Sequence, residues 1–116
     1  MQVERTQRGF PIARFDDANE KKCSIQESSA VGNYAESLSD PGSSFLWLGI
    51  DDVDARVMAS EAASVGVVTD QKTGWVGFPI PSNVSITTRM HLNREQVKEL
   101  VELMQLWLET GTIAAE

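Results

Sequence analysis

Few residues in this sequence have side chains suited to catalysis. The chain has one histidine, His91, and one cysteine, Cys23. General base catalysis by His91 would need an orienting carboxylate and a nearby nucleophile, and the sequence indicates no such pair. His91 falls on the polar face of a predicted strand, which favours a structural role. No helix N-terminus is predicted beside Cys23, so we expect this thiol to pack as a small apolar group.

Aspartates form the other group of residues with chemical potential. Asp16 and Asp17, together with Asp51, Asp52 and Asp54, could supply oxygen ligands to Mg²⁺ or Ca²⁺, but their spacing does not match an EF-hand loop. Acids in the first turn of a helix are favoured by the helix dipole, which explains the second group without a metal. The sequence also has no glycine-rich phosphate loop and no GxSxG pattern. We therefore predict no metal, no cofactor and no enzymatic activity.

The negative charge is concentrated in the middle of the chain. The net charge is −7. Residues 27–70 contain eight acids and a single base, Arg56, whereas the two flanking segments are nearly neutral. Such a chain is a poor candidate for binding nucleic acid directly and a better one for a basic partner surface, although ordinary solubility is the favoured explanation of the charge. The candidate partner-binding acids are Glu36, Asp40, Asp51, Asp52 and Asp54.

The elements that must position these residues are typical of an α+β fold. We predict a small antiparallel β-sheet of about four strands, with a C-terminal amphipathic helix packed on one face and a short helix in the crossover. Gly9–Phe15 and Lys22–Ser28 read as a hairpin, and Phe45–Ile50 as a central strand. Ala55–Val65, ended by Gly66, reads as the short helix, and Val84–Leu92 alternates as a strand.

The C-terminal helix has the clearest start and stop signals in the chain. Asn93 is its predicted N-cap, Gln96 completes a capping box, and Gly111 ends it. The predicted core stripe consists of Val97, Leu100, Val101, Met104, Trp107 and Leu108. Leu103 and Leu106 lie outside this stripe, which makes them candidates for a second interface.

The remaining segments are predicted from composition. We expect one domain over residues 1–116, with 1–8 as a loose arm and 29–44 as a long surface loop. Trp75 and Phe78 lie in a segment broken by glycine and proline, where aromatics either fill the core or contact a partner. No apolar run reaches the ~18 residues of a membrane span. The N-terminus lacks an apolar signal region, and the single cysteine fits a reducing compartment, so a cytoplasmic location is expected.

Several blocks of the sequence resemble a family of small proteins encoded by tailed bacteriophages and prophages. The blocks are TTRMHLNREQV at Thr87–Val97 followed by ETG at Glu109–Gly111, RTQRGF at Arg5–Phe10, CSIQ at Cys23–Gln26, WLGIDD at Trp47–Asp52, and TGWVGFPIP at Thr73–Pro81. The resemblance covers most of the chain and keeps the order of the blocks. It implies no activity and no catalytic residues.

This resemblance and the acidic middle lead to two hypotheses. The first is a phage accessory protein that works in the cytoplasm of the bacterial host. It would inhibit antiviral defence by placing its acidic surface on the basic nucleic-acid-binding site of a host protein or ribonucleoprotein. The alternative is a homo-oligomer, either a phage structural protein or a sponge that sequesters a small nucleotide. A homodimer through Leu103 and Leu106, or through the Trp75 and Phe78 segment, belongs to the alternative.

Overall fold

The computed structural model describes residues 1–29 and 44–114. Glu36, Asp40 and most of the predicted 29–44 loop therefore lie outside the described residues. The chain divides into two compact units. The first contains Met1–Asp51 and Arg89–Glu116, and the second contains Asp52–Thr88. Each unit has its own sheet.

The first unit is built on a five-stranded antiparallel sheet with the order β1-β2-β3-β4-β7. Its strands are β1 (Val3–Arg5), β2 (Pro11–Asp16), β3 (Lys22–Ser29), β4 (Ser44–Ile50) and β7 (Arg89–Leu92). The predicted α+β class is confirmed. The fifth strand comes from the segment expected to be a loose arm, because Val3–Arg5 pairs with Pro11–Ala13 at the sheet edge.

The predicted hairpin is present as β2 and β3, and its turn is stabilised by one carboxylate. Asp17 Oδ1 accepts hydrogen bonds from the backbone N–H groups of Asn19 and Lys21, at 2.8 and 2.9 Å. Glu20 takes the left-handed conformation with φ 63°. Aspartate favours such turns because its short side chain bonds the backbone two residues on.

Strand β7 is shorter than the sequence alternation predicts. Residues 84–88 are not a strand, and Val84 and Ile86 are exposed. Strand β7 pairs with β4, and in this register Arg89 lies opposite Gly49. Residues before Arg89 would thus lie opposite the last residue of β4 and the chain beyond it. The alternation from Val84 was a correct local pattern, but a strand needs a neighbour for its backbone groups.

The two faces of this sheet differ in chemistry. One face carries the apolar residues Ile25, Leu46, Leu48 and Leu92, which share a face through the strand register. The opposite face carries Ser24, Gln26, Trp47, Arg89 and His91. The registers place Gln26, Trp47 and His91 in one row across three strands.

The C-terminal helix α1 (Arg94–Thr110) has the predicted ends. Asn93 Oδ1 accepts a hydrogen bond from the Gln96 N–H, and Gln96 Oε1 accepts one from the Asn93 N–H, both at 2.9 Å. Gly111 ends the helix in the left-handed conformation, with φ 82°. The predicted core stripe is wrong beyond the first turns, because Val101, Met104, Trp107 and Leu108 are exposed. No residue of the helix is buried.

The second unit contains a two-stranded sheet and a 3-10 helix. Strand β5 (Arg56–Met58) pairs antiparallel with β6 (Trp75–Gly77), and the 3-10 helix (Ala59–Val65) follows β5 directly. The helix predicted from Ala55 therefore begins later and is tighter, because residues 56–58 pair with β6. Gly66 stops it as predicted, with φ 81°. Asp51–Asp54 consequently cap no helix.

Candidate functional site

A cavity of about 440 Å³ opens on the polar face of the five-stranded sheet, within the first unit. Its lining combines two arginines, two aromatic rings and short polar side chains. The lining residues are Thr6, Gln7, Arg8, Phe10, Gln26, Ser28, Trp47 and Arg89. The volume lies in the range of small-molecule sites.

Arg89 reaches this cavity by crossing a glycine. Its strand neighbour is Gly49, whose own neighbour on β3 is Ser24. Because Gly49 has no side chain, the space above it is open to the arginine. The guanidinium Nη1 donates a hydrogen bond to Ser24 Oγ at 3.2 Å and another to Gln26 Oε1 at 3.0 Å. Arg89 lies on the edge strand β7 and is thus hydrogen-bonded to β3, across the intervening strand β4.

The guanidinium of Arg89 also lies over the ring of Trp47, 4.6 Å from its centroid. The Trp47 ring packs edge-on against the His91 ring, with 5.4 Å between their centroids. The Phe45 ring also packs against His91, with a centroid distance of 4.6 Å. Arginine stacks well on an indole face because its planar cation is attracted by the ring quadrupole. The stack holds the guanidinium in one orientation.

Ser24 connects Arg89 to a carboxylate below it. The hydroxyl of Ser24 is fully buried and donates a 2.6 Å hydrogen bond to Asp51 Oδ1, while it accepts the bond from Arg89. The order Asp51, Ser24, Arg89 lets each bond polarise the next. The acceptors that bond Arg89 are neutral, so no carboxylate among residues 1–29 and 44–114 forms an ion pair with it.

Several donors at the cavity have no protein partner within residues 1–29 and 44–114. Arg89 uses Nη1 for both of its hydrogen bonds, which leaves Nε and Nη2 without one. The amide nitrogen of Gln26 and the hydroxyl of Ser28 likewise donate no hydrogen bond to a described residue. Arg8 adds a second cation at this cavity, 5.9 Å from the Phe10 ring centroid. This set of donors suits an anion, and the flat cation–ring stack suits a planar group.

Two further cavities lack this combination. One of about 330 Å³ in the first unit has an apolar floor of Leu46, Leu92 and Val97 at the start of α1. Another cavity, of about 450 Å³ in the second unit, is lined mainly by glycine, proline and apolar residues between Val53 and Ile80. Neither lining contains two arginines together with two aromatic rings.

The described acids of the predicted partner-binding set are Asp51, Asp52 and Asp54, and two of them have bonding partners within their own unit. Asp51 belongs to the first unit and accepts the bond from Ser24. Asp54 belongs to the second unit and pairs with Arg56, Nε to Oδ1, at 3.0 Å. Asp52 is exposed. The fold therefore uses two of these three carboxylates for its own bonds.

The predicted interface residues have mixed environments. Trp75 is 60% exposed and Leu103 is 42% exposed, whereas Phe78 and Leu106 are half-buried. Trp75 and Phe78 lie in the second unit, and the two leucines lie in the first. Of the two environments expected for Trp75, the structure does not show the core, since this side chain lies on the short strand β6 and is exposed there.

His91 and Cys23 lie as expected for structural residues. His91 is exposed and packs between Phe45 and Trp47. Cys23 is buried in β3, and its Sγ donates to the carbonyl oxygen of Lys21 at 3.4 Å. Burial raises the pKa of this thiol, and the negative charges of Asp17, Asp51 and Asp16 add to the effect. A raised pKa makes Cys23 a weaker nucleophile at neutral pH.

Comparisons with family models, with curated proteins and with solved structures gave no significant match. The class is therefore defined by the fold alone, an α+β protein with a polar cavity on its main sheet. In the described part of the chain, no three His, Cys, Asp or Glu side chains gather as metal ligands, and no helix is long and apolar enough to cross a membrane.

The cavity residues were not predicted from the sequence. Arg89 alternates onto the same side of the Val84–Leu92 segment as His91, but nothing in that segment indicates that Gly49 lies beside it. The available signal was the pattern of β4, in which Trp47 and Gly49 alternate on one face between Leu46 and Leu48. Pairing this strand with the Arg89–Leu92 segment would have placed an arginine beside a tryptophan.

Proposed function

We propose that this protein binds a small anionic ligand with a planar ring, of the nucleotide class, and sequesters it without converting it. The observation that carries the proposal is the state of Arg89. Its guanidinium is fixed on Trp47 by bonds to neutral acceptors, while Nε and Nη2 have no partner among the described residues. A pre-positioned arginine binds an anion without first having to be ordered.

Phosphate is the anion that fits this geometry best. Arginine presents its donors in a planar fork that matches two phosphate oxygens. The Nε and Nη2 groups of Arg89 form one side of that fork. Gln26 and Ser28 supply neutral donors on the same face of the sheet. Arg8 brings additional positive charge to the cavity.

The aromatic residues support the planar part of the ligand. A base can stack on the guanidinium face turned away from Trp47, because arginine stacks on aromatic planes. A cavity of about 440 Å³ is large enough for a mononucleotide. The combination of cation and ring favours a nucleotide over a simple inorganic anion.

Binding without conversion is supported by the position of the reactive groups. The Ser24 hydroxyl is fully buried beneath Arg89 and already donates to Asp51. His91 lies against two aromatic rings. The resemblance to phage proteins supports a role against the host, in which a host nucleotide is removed from circulation. This corresponds to the nucleotide-sponge hypothesis.

The acidic surface hypothesis is a second candidate. It is favoured by the excess of acids in residues 27–70 and by the exposure of Asp52. It is weakened by the internal bonds of Asp51 and Asp54. If an acidic surface binds a host protein, Asp52→Lys should abolish capture of that protein from host lysate. Arg89→Gln should leave that capture unchanged.

Calorimetric titration with AMP tests the proposed function. We expect Arg89→Gln to weaken AMP binding about tenfold or more, because a hydrogen bond to a charged group contributes about 1.5–3 kcal/mol. Arg14→Gln is the matched control. Arg14 lies in register with Ser24 on the same sheet face, but its exposed side chain pairs with Glu4 at 3.0 Å.

Two ligand controls separate the contributions of phosphate and base. Adenosine lacks the anion, and ribose 5-phosphate lacks the ring, so each should bind more weakly than AMP. Equal binding of AMP by the wild-type protein and the Arg89→Gln variant would contradict the proposal. Absence of heat with AMP would contradict it as well.

A further inference from the structure

Gln26 lines the cavity on the polar face of the main sheet and bonds its principal cation. It lies in β3, and its side chain is half-buried. The register places it beside Trp47 of β4, the residue whose ring lies against the guanidinium of Arg89. Its Oε1 accepts a hydrogen bond from Arg89 Nη1 at 3.0 Å. Among the described residues of the lining, Gln26 is thus the one that hydrogen-bonds Arg89.

The bond to Arg89 determines which end of the Gln26 amide is left for a ligand. A guanidinium has donors and no acceptor, so only the amide oxygen can face it. The Nε2 group must then point elsewhere, and it donates to no described residue. Gln26 therefore uses its acceptor within the protein and keeps its N–H donors for a molecule in the cavity.

A neutral residue at this position also leaves the charge of Arg89 uncompensated. The cations of the lining are Arg8 and Arg89, and no described residue of the lining has a carboxylate. Glutamate has nearly the size and shape of glutamine and would accept the same bond as a stronger, charge-assisted one. Such an ion pair would hold Arg89 well, but it would compete with an anionic ligand for the guanidinium. Anchoring of Arg89 alone thus favours glutamate, whereas anion binding requires glutamine.

We propose that Gln26 makes this cavity specific for anions, because it holds Arg89 with a neutral acceptor and offers Nε2 to the ligand as a donor. This role rests on the proposed function, since it concerns the same ligand and the same site. Specificity is a difference between affinities, and this arrangement acts on both sides of it. An anion gains an amide donor beside the guanidinium, whereas a ligand with an ammonium group meets two cations.

Two substitutions at Gln26 separate its charge from its hydrogen bonds. Gln26→Glu keeps the shape and the bond to Arg89 but adds a negative charge. Gln26→Met keeps the length of the side chain and removes both amide groups. In calorimetric titrations with AMP at neutral pH we expect the wild-type protein to bind most tightly and Gln26→Met less tightly. Gln26→Glu should be the weakest, roughly tenfold or more below the wild type, because the anion loses a donor and meets a carboxylate.

A purely structural role for Gln26 predicts a different order. If this residue only anchored Arg89, Gln26→Glu would bind AMP as well as the wild type or better, and Gln26→Met would be the weakest. The urea midpoint of Gln26→Glu should be no lower than that of the wild type, because an ion pair replaces a neutral hydrogen bond of the same geometry. Affinity and stability should therefore change independently in this variant.

Gln2→Glu is the matched control. It makes the same chemical change at an exposed residue of the first unit that does not line the cavity, so its AMP affinity should equal that of the wild type. AMP binding by Gln26→Glu that is as tight as that of Gln26→Met would overturn the role of Gln26 and leave nucleotide binding standing. Gln26→Met binding as tightly as the wild type would overturn the donor role of Nε2. Absence of AMP binding by the wild-type protein would overturn the proposed function and this role with it.

Discussion

At the scale of single residues, Ser24 is the centre of the polar network. Its buried hydroxyl donates to Asp51 and accepts from Arg89, so it satisfies one charged group on each side. A buried polar group that loses its partner costs more than the bond itself contributes, because the group has already lost its water. The position of Arg89 therefore depends on Ser24, which does not line the cavity.

Ser24→Ala should lower the free energy of unfolding by about 1–3 kcal/mol, since Asp51 loses its donor and Arg89 loses one acceptor. The urea midpoint measures this change, provided that the denaturant slope is unchanged. Ser64→Ala is the control, because the Ser64 hydroxyl is exposed and donates to the Glu61 carbonyl oxygen. An equal effect at both positions would contradict a special role for Ser24.

The pKa of Cys23 gives a prediction with a defined sign. Burial raises this pKa above the ordinary value of 9.0, so the folded state holds the thiol proton more tightly than the unfolded chain does. The resulting stabilisation is present below the unfolded value and is lost as the pH rises through the folded value. Stability should thus decline above pH 9.

Alkylation by iodoacetamide measures the state of this thiol. At pH 8 the folded protein should react slower than the urea-unfolded chain, on the order of tenfold or more, because attack requires both thiolate and access. The unfolded chain serves as the control, since it has the same single thiol. Equal rates would show that Cys23 is neither buried nor held in its protonated form.

At the scale of elements, the sequence predicted correctly those features whose interacting groups lie within a few residues of each other. The Asn93 capping box, the stops at Gly66 and Gly111, and the β2–β3 hairpin all match. Each depends on side chains and backbone groups that are neighbours in sequence. Patterns that require a distant partner were less informative. Residues 84–88 alternate like a strand, but β4 ends at Ile50 and offers them no neighbour.

Helix α1 is a second case in which a local pattern did not determine the contacts. Its apolar spacing identified the helix, but could not say which part faces the sheet and which faces outward. Val97 and Leu100 are half-buried, whereas the residues from Val101 onward on the same stripe are exposed. Periodicity indicates that a face needs cover, and it does not specify whether that cover belongs to the same chain.

The capping box predicts a measurable contribution to α1. Asn93→Ala should reduce the free energy of unfolding by about 1 kcal/mol, because the Gln96 N–H loses its acceptor at the helix start. Thermal unfolding followed by circular dichroism at 222 nm, the usual helix band, reports the loss. Asn93→Asp is the control, since aspartate keeps an acceptor and favours the helix dipole. A loss of equal size in both variants would contradict the capping role.

At the scale of the whole molecule, the charge and the candidate site lie in different places. Residues 27–70 account for the net charge. In this segment Asp51 and Asp54 bond to other residues of the chain, Ser24 and Arg56. The cavity on the polar face of the main sheet instead has its cations, Arg8 and Arg89, from the nearly neutral segments. Composition directed attention to the acids because it records amounts, whereas a site depends on which side chains the sheet register brings together. Arg89, Gly49 and Ser24 are far apart in sequence and adjacent across three strands.

The central claim, binding without conversion, is tested most directly by a mass balance on AMP. Excess protein is mixed with AMP, the filtrate of an ultrafiltration step is assayed, and the retained fraction is heat-denatured and analysed by mass spectrometry. We predict that the wild-type protein and Arg14→Gln remove AMP from the filtrate and release it intact, while Arg89→Gln leaves it in the filtrate. An undiminished filtrate with the wild-type protein, or a released product that differs from AMP, would contradict the account.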